Sequence, residues 1–204
     1  RHTLALCEAG ISREGEMEVL EDIIQPTLGI FTGLGKPHSE NFDSPEAHLK
    51  EKLSLFKNCN FTFANTEYHS ALRRMKINSE LTSIDDWSDI LPSKFTFKKN
   101  LILCFKVAEF LGIEKPELKR ISESLTELVG RLETSEGINK NLIINDTYNI
   151  DIDALEQALA FQFSSNEKES KAVVVDVESL SESKKQDIRD CIDQFKPKYY
   201  LEVS

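Results

Sequence analysis

Residues 28–64 read LGIFTGLGKPHSENFDSPEAHLKEKLSLFKNCNFTFA and hold two apolar segments on either side of one helical pattern. The first segment, Leu28–Thr32, runs into a glycine-rich turn, and the second covers Asn60–Ala64. Between them, Ser44-Pro45 supplies a helix cap and a first-turn proline, and apolar residues at helical spacing continue to about Lys57. A strand, a helix and a strand at this spacing predict a βαβ unit with parallel strands.

Apolar periodicity extends this alternation over the rest of the chain. The further predicted elements are a strand at Thr3–Cys7, helices at Gly15–Ile24, Tyr68–Met75, Asn100–Leu111 and Pro116–Leu128, a strand at Leu142–Asn145, a helix at Ile152–Phe163, a strand at Ala172–Val177, a helix at Ser183–Phe195 and a strand at Tyr199–Val203. Lys76–Phe97 is irregular, and its alternating Phe95 and Phe97 suggest one more strand. A break at Gly130-Arg131 divides the chain into two α/β domains, residues 1–129 and 130–204.

The composition narrows the class of protein. Twenty-five Lys and Arg residues against thirty-five Asp and Glu give a formal net charge of −10, whereas binding to nucleic acid or anionic membranes favours positive charge. The sequence has no apolar run of the roughly 18–20 residues that cross a bilayer. Residues 1–15 carry charges throughout, so we expect no signal peptide. Its four cysteines form no CxxC pair, which is typical of free thiols in a reducing compartment. We therefore expect a cytoplasmic protein that neither binds nucleic acid nor inserts into a membrane.

Polar residues follow three of the predicted strands. Glu8 follows the first, the loop Thr32–His38 follows the second, and Asn145–Asn149 follows a strand of the second domain. Ligands of α/β sheets bind beyond the carboxyl ends of the strands, so function is expected at these positions. Glu8 and His38 are suited to share a Mg²⁺ ion; the competing interpretation is that Glu8 caps a helix and His38 belongs to a simple turn.

Two further observations limit the interpretation of these loops. The loop at 32–38 lacks the GxxxxGK[ST] pattern of a P-loop, which occurs nowhere in the sequence. Asp146 is suited to hold a ribose hydroxyl or a cation, but Asx-rich turns are also common for backbone reasons alone.

Taken in order, these segments resemble the Mur ligase family. The resemblance to its central ATPase domain lies in EAGIS (8–12), GEM (15–17), GIFT (29–32), HSENF (38–42) and EKLSLF (51–56). The later segments RLE (131–133), EGIN (136–139) and INDTYNID (144–151) are similar to the MurF type, most of all to the form fused to an alanine racemase. The resemblance covers residues 3–163. It implies an α/β fold, with part of a central ATPase domain of mostly parallel sheet and helices, followed by a Rossmann-like C-terminal α/β domain.

The resemblance implies a metal site in the first domain. Glu8 matches a glutamate that binds Mg²⁺ beside the ATP phosphates, and His38 matches a histidine that binds a second Mg²⁺. Lys52 matches the carbamylated lysine of the family. A lysine whose pKa is lowered by burial offers a neutral amine to CO₂, and the resulting carbamate is an anionic oxygen ligand for a metal. Lys50 is the rival assignment, and the alternative for Lys52 is an exposed helix lysine.

The resemblance also implies a nucleotide site and a substrate site. Asn100 matches an asparagine that contacts the adenine of ATP. Arg131 and Asp146 match residues of the C-terminal domain that close over the nucleotide. Tyr148 and Asn149 match the rest of that motif, near the incoming amine substrate.

The activity implied is ATP-dependent amide formation. The γ-phosphoryl group passes to the carboxylate of UDP-MurNAc-tripeptide, and the amine of D-Ala-D-Ala attacks the acyl phosphate. ATP and Mg²⁺ are the implied cofactors, and pyridoxal phosphate belongs only to a fused racemase domain that these residues do not include.

Several features depart from the family pattern. In the family, the GKT loop and the UDP-sugar domain precede the glutamate that Glu8 matches. We therefore expect the 204 residues alone to be inactive. Gly33 stands where the family usually has Asn, and Pro37 where it commonly has Ala. The alternative hypothesis is therefore a degenerate, non-catalytic Mur-ligase-like module that binds nucleotide, peptide or a partner protein.

Overall fold

The chain forms two compact units, Arg1–Leu125 (unit 1) and Thr126–Ser204 (unit 2). The computed structural model describes residues 2–35, 39–83, 87–91, 98–126, 128–148, 150–164 and 170–203. The domain boundary predicted between residues 129 and 130 falls within unit 2. No helix in the described ranges has the length and apolar character needed to cross a membrane.

Unit 1 contains three strands and five α-helices in its described residues. In chain order they are α1 (Glu16–Ile24), β1 (Leu28–Phe31), α2 (Pro45–Ser54), β2 (Phe61–Asn65), α3 (His69–Arg74), β3 (Ser79–Thr82), α4 (Lys98–Phe110) and α5 (Lys115–Ser124). The sheet order is β1-β2-β3, and both pairs are parallel, with Ile30 opposite Phe63 and Ala64 opposite Leu81. The predicted βαβ unit is confirmed.

The core of unit 1 joins the sheet to its helices. Leu53 of α2 and Leu72 of α3 are fully buried in one apolar cluster with Phe31 and Ala64 of the sheet. At residue 29 a Cβ atom would lie 2.4 Å from the ring of Phe56, so glycine lets that ring pack directly against β1. This close packing fixes the distance between the end of α2 and the sheet.

Side chains determine where α1 and α2 begin. Ser44 Oγ accepts a hydrogen bond from the backbone N–H of Ala47 at 3.1 Å and caps α2, as predicted. Gly15, with a φ of +84°, precedes α1. The Glu51 carboxylate accepts hydrogen bonds from the N–H groups of Gly15 and Met17 at 2.8 and 3.2 Å. An acidic residue of α2 therefore caps α1, because the free N–H groups at a helix start favour a carboxylate.

Unit 2 contains four strands and two α-helices in its described residues. They are β4 (Glu133–Glu136), β5 (Leu142–Asn145), α6 (Ile152–Ser164), β6 (Ala172–Asp176), α7 (Glu182–Phe195) and β7 (Tyr199–Val203). β4 and β5 form an antiparallel hairpin, whereas β6 and β7 are parallel. Val173 and Val175 of β6 pack with Leu159 of α6 and Ile188 of α7. The α/β class predicted for the chain is confirmed, and β4 is an additional strand whose polar sequence, ETSE, does not signal it.

The strand predicted at Thr3–Cys7 is wrong. These residues have no regular secondary structure, and Leu4 and Leu6 are exposed. A strand is stable only when a neighbour satisfies its backbone N–H and C=O groups, and no described strand pairs with this segment.

Other predicted elements differ from the structure by a few residues in their bounds, and two regions need comment. The irregular segment Lys76–Phe97 contains β3 near its start, while Phe95 and Phe97 lie outside the described residues. α5 ends at Ser124, four residues before the predicted end, because Leu125 has an extended backbone with ψ of 140°.

Candidate functional site

The carboxyl edge of the parallel sheet in unit 1 is formed by the ends of β1, β2 and β3. Phe31 at the end of β1 lies opposite Ala64, and Asn65 at the end of β2 lies opposite Thr82 at the end of β3. Ligands of parallel α/β sheets bind at this edge, because the loops that leave the strands there create a crevice. The residues that follow β1 and β2 therefore frame the candidate site.

Lys52 of α2 reaches the loop that follows β1. Its Nζ donates a hydrogen bond to the carbonyl oxygen of Leu34 at 2.6 Å. The side chain is half-buried, and burial lowers the pKa of the Lys52 ammonium. Lys50, the rival assignment, is exposed. The half-buried lysine thus has the property that reaction with CO₂ requires, a larger fraction of neutral amine.

Tyr68 holds the same loop from the other side. Its hydroxyl oxygen accepts a hydrogen bond from the N–H of Leu34 at 3.2 Å, and its ring packs edge-on against Phe31 with centroids 4.7 Å apart. Gly33 has a φ of +151°, and a Cβ atom there would lie 3.3 Å from the Tyr68 hydroxyl. Glycine at residue 33, where the Mur ligase pattern has Asn, is therefore matched to its surroundings in this fold.

The two other proposed metal ligands of unit 1 are not brought together by the described structure. His38 lies outside the described residues. Glu8 is exposed and lies in a segment without regular structure, eight residues before α1 begins. No group of three or more His, Cys, Asp or Glu side chains in the described ranges is arranged to hold a metal ion.

Asn100 lies in the first turn of α4 and is exposed. The preceding residue, Lys99, forms an ion pair with Glu67 at 3.0 Å. Because Glu67 lies in the turn that follows β2, this ion pair brings the start of α4 beside the carboxyl edge of the sheet. Asn100, the next residue of α4, therefore lies near the candidate site.

Asn65 and Thr82 are residues of the site that sequence reasoning missed. Their side chains are only 6% and 1% exposed, yet Asn65 Nδ2 and Thr82 Oγ1 have no hydrogen-bond partner among the described residues. Leaving a buried polar atom unpaired costs about 1–3 kcal/mol, so such atoms at a ligand-binding edge suit a polar ligand. Glu8 was selected because it is a polar residue directly after a predicted strand. Asn65 directly follows the predicted strand Asn60–Ala64, so the same rule would have selected it.

In unit 2 the structure brings together Arg131, Asp146 and Tyr148. The Arg131 guanidinium carbon lies 4.1 Å from the centroid of the Tyr148 ring. Asp146 Oδ1 accepts a hydrogen bond from the N–H of Leu132 at 3.0 Å. Asn149, the last residue assigned to this motif, lies outside the described residues.

A cavity of about 410 Å³ opens beside Asp146 in unit 2. Its lining combines the carboxylates of Asp146, Asp151 and Asp176 with apolar side chains such as Ile144 and Leu155. Carboxylates beside apolar groups suit a small ligand that carries both an amine and methyl groups.

The family follows from a comparison with known protein families. Residues 1–88 match the Mur ligase middle domain. This part of the chain belongs to the Mur ligase family. The match covers β1, α2 and β2, and therefore the loop held by Lys52 and Tyr68, which is accordingly a loop of a Mur ligase middle domain.

Other relatives extend the comparison beyond the middle domain. The chain is 30% identical over 179 residues to the UDP-N-acetylmuramoyl-tripeptide–D-alanyl-D-alanine ligase of Borreliella burgdorferi, an alignment that covers 71% of this chain and 38% of that ligase. A crystal structure of MurF from Acinetobacter baumannii has a TM-score of 0.72 at 16% identity, and covers 96% of this chain and 50% of that chain. A second structure, of the same organism's UDP-N-acetylmuramoylalanyl-D-glutamyl-2,6-diaminopimelate–D-alanyl-D-alanyl ligase, has a TM-score of 0.69 at 16% identity and the same coverage.

These relatives define the fold of both units. The likeness extends over nearly the whole chain, so unit 2 shares the MurF fold as well as unit 1. The chain spans between a third and a half of the length of the proteins it matches.

Proposed function

We propose that the protein, in its full-length form, is an ATP-dependent amide ligase of peptidoglycan precursor synthesis. In the proposed reaction it adds D-Ala-D-Ala to UDP-MurNAc-tripeptide through an acyl phosphate, as a MurF-type ligase. The observation that carries the proposal is the half-buried Lys52, which donates a hydrogen bond to the loop at the carboxyl edge of a Mur ligase middle domain. The name of the Borreliella burgdorferi relative supports the choice of substrates.

Unit 1 supplies the proposed metal and nucleotide ligands. Glu8, His38 and the carbamate of Lys52 are the proposed ligands of Mg²⁺, and Asn100 is the proposed contact to adenine. Bound Mg²⁺ would neutralise charge on the phosphate groups of ATP. The lowered pKa of Lys52 supports its carbamylation, and Asn65 Nδ2 and Thr82 Oγ1, which have no partner among the described residues, support a polar ligand at this edge.

Unit 2 supplies the residues proposed for nucleotide closure and for the amine substrate. Arg131 and Asp146 are assigned to the nucleotide, and Tyr148 and Asn149 to D-Ala-D-Ala. The contact between Arg131 and Tyr148 joins these two groups of residues. The carboxylates that line the nearby cavity are suited to an ammonium group. Orientation of the amine toward an acyl phosphate is a large part of what such a site contributes to the rate.

The remaining assignments complete the proposal. Residues 1–129 are assigned to the C-terminal portion of the central ATPase domain, and residues 130–204 to the C-terminal domain. The protein is assigned to the cytoplasm, where nucleotide-linked precursors and ATP are available. Fusion to an alanine racemase, and with it pyridoxal phosphate, stays a prediction.

The proposal is tested with the full-length protein. Purified protein is incubated with ATP, Mg²⁺, UDP-MurNAc-tripeptide and D-Ala-D-Ala, and the ligated product is measured by mass spectrometry together with released phosphate. We expect product to form only when all components are present, and Lys52→Ala to abolish it while the exposed Lys50→Ala keeps most of the activity.

Failure of this assay has a defined meaning. Wild-type protein that forms no product but binds ATP supports the non-catalytic module instead. Equal activity of wild type and Lys52→Ala contradicts the assignment of Lys52.

A further inference from the structure

Arg131 and Tyr148 form a cation–π pair in unit 2. The guanidinium carbon lies 4.1 Å from the centre of the ring, well inside the limit of about 6 Å for this interaction. Arg131 is half-buried, and Tyr148 is exposed. The Arg131 guanidinium therefore covers one face of the Tyr148 ring.

The backbone holds the two side chains face to face. Gly130 O accepts a hydrogen bond from the N–H of Tyr148 at 2.9 Å, and Asp146 Oδ1 accepts one from the N–H of Leu132 at 3.0 Å. These two hydrogen bonds lie on either side of Arg131 and join its loop to segment 146–148. The direction in which Arg131 leaves the backbone is therefore fixed by its neighbours.

The backbone around Arg131 takes a conformation that few sequences adopt. Gly130 and Leu132 have φ values of +71° and +51°. A Cβ atom on Gly130 would lie 3.3 Å from the backbone nitrogen of Tyr148, so glycine allows the two segments to come this close. Glu133 Oε2 accepts hydrogen bonds from the Gly130 N–H and from Asn145 Nδ2 at 3.1 and 3.0 Å, which ties the turn to β5.

We propose that Tyr148 is a positioning residue whose ring holds the Arg131 guanidinium in the orientation that meets the nucleotide phosphates. This inference rests on the proposed function, which assigns Arg131 to the nucleotide. An arginine side chain loses much rotamer freedom when it binds a phosphate, and a ring that already holds its guanidinium reduces that loss. The stack uses the ring and leaves the phenolic hydroxyl out, so phenylalanine preserves it and leucine removes it.

The first test is a double-mutant cycle on nucleotide affinity. The dissociation constant of ATP with Mg²⁺ is measured by calorimetry for the full-length protein and for Tyr148→Phe, Tyr148→Leu, Arg131→Met and the Arg131→Met/Tyr148→Leu double variant. We expect Tyr148→Leu to weaken ATP binding about two- to fivefold, the range for an exposed cation–π pair. Tyr148→Phe should bind ATP with the affinity of wild type, because it keeps the aromatic ring. In the Arg131→Met background, Tyr148→Leu should cause no further loss. A loss of the same size in both backgrounds overturns the proposal.

The second test does not depend on nucleotide. Arginine-selective ¹³C and ¹⁵N labelling of the full-length protein gives the side-chain resonances of Arg131, which are assigned by their loss in Arg131→Met. The ring of Tyr148 should shift these resonances upfield in wild type and in Tyr148→Phe, and the shift should disappear in Tyr148→Leu. Resonances that stay unchanged in Tyr148→Leu overturn the stack itself. A wild-type protein that shows the shift but binds no ATP contradicts the proposed function and overturns the positioning role, while the stack stands.

Discussion

Lys52 and Tyr68 bind opposite backbone groups of one residue: Lys52 Nζ donates to the carbonyl oxygen of Leu34 at 2.6 Å, and the Tyr68 hydroxyl accepts from its N–H at 3.2 Å. One side chain comes from α2 and the other from the turn that follows β2. The loop after β1 is therefore held from two elements of the βαβ unit. In the sequence, Leu34 lies four residues before His38, the proposed metal-binding histidine.

Replacing Tyr68 with Phe should loosen this loop. The N–H of Leu34 loses its acceptor, and we expect the free energy of unfolding to fall by about 0.5–1.5 kcal/mol. Urea denaturation of the variant and of wild type measures the difference. Tyr199→Phe is the matched control, because Tyr199 is exposed and its substitution should change stability by less than about 0.5 kcal/mol. Equal effects of the two substitutions would contradict the role of the Tyr68 hydroxyl.

Gly33→Ala should destabilise the protein. The new Cβ meets the Tyr68 hydroxyl at 3.3 Å, and a φ of +151° strains any other residue. We expect a loss of about 1 kcal/mol or more in thermal or urea unfolding. Gly10→Ala is the control, since nothing lies within 4 Å of a Cβ there.

The steric part of this effect can be separated from the backbone part. In a Tyr68→Phe background the hydroxyl is gone, so the additional loss caused by Gly33→Ala should shrink but not vanish. An undiminished loss in that background would assign the whole effect to backbone strain.

Lys52 should react with CO₂ in preference to other lysines. Burial lowers its pKa, so a larger fraction of its amine is neutral at a given pH. With ¹³C-labelled CO₂ at a fixed dissolved concentration, a carbamate carbon signal should appear in the NMR spectrum and grow as the pH rises from about 7 to about 9. Lys52→Arg should remove the signal, and Lys50→Arg should leave it. A signal that persists in Lys52→Arg would refute the assignment.

Thr82→Val should have opposite effects on the stability of the protein and on its binding of ATP. The buried hydroxyl has no partner among the described residues, so an isosteric methyl group removes an unpaired polar atom and should raise the free energy of unfolding by about 1 kcal/mol. If the hydroxyl serves the nucleotide, the same change should weaken ATP binding by the full-length protein.

The control for this prediction is another buried hydroxyl. Ser122 donates to, or shares its proton between, the carbonyl oxygens of Ile90 and Lys119 at 3.0 and 2.7 Å. Ser122→Ala should therefore lower stability by about 1 kcal/mol, opposite in sign to Thr82→Val. The same sign for both substitutions would contradict the unpaired state of Thr82.

Glu202 should make the protein sensitive to acid. Hydrogen bonds from the Arg189 guanidinium, at 2.6 and 2.7 Å, and from the Tyr200 hydroxyl lower the pKa of Glu202 to about 2. An unfolded glutamate has a pKa of about 4.3, so between these two values the unfolded state binds more protons. The contribution of Glu202 is therefore complete above pH 5 and is lost as the pH falls toward 2.

This pH dependence is measured by urea unfolding at a series of pH values. The difference in stability between wild type and Glu202→Gln should shrink from pH 5 to pH 2. In an Arg189→Met background, where the main cause of the lowered pKa is absent, the same comparison should change much less over this range. A difference that is constant with pH would contradict the effect.

Several parts of the fold and the site follow from local patterns. The parallel pair and the helix between its strands could be predicted from the apolar segments at 28–32 and 60–64 and from the Ser44-Pro45 cap. Hydrophobic periodicity and helix capping are local properties of the sequence. Thr3–Cys7 has an equally apolar pattern but forms no strand, since a strand also needs a neighbour. β3 and β4 carry polar sequences and form because adjacent strands already offer them partners.

The amino-acid sequence by itself determined most of the helices and strands, the α/β class and the motifs that mark a Mur ligase, but it missed β4 and suggested a strand at Thr3–Cys7 that does not form. Only the tertiary structure decided that Lys52 is the half-buried lysine, that Glu51 caps α1, that Asn65 Nδ2 and Thr82 Oγ1 are buried with no partner in the described part of the chain, and that Arg131 stacks on Tyr148. The physical reason is that burial and hydrogen bonding at these positions depend on residues 14 to 36 positions apart in the chain, which local periodicity does not specify.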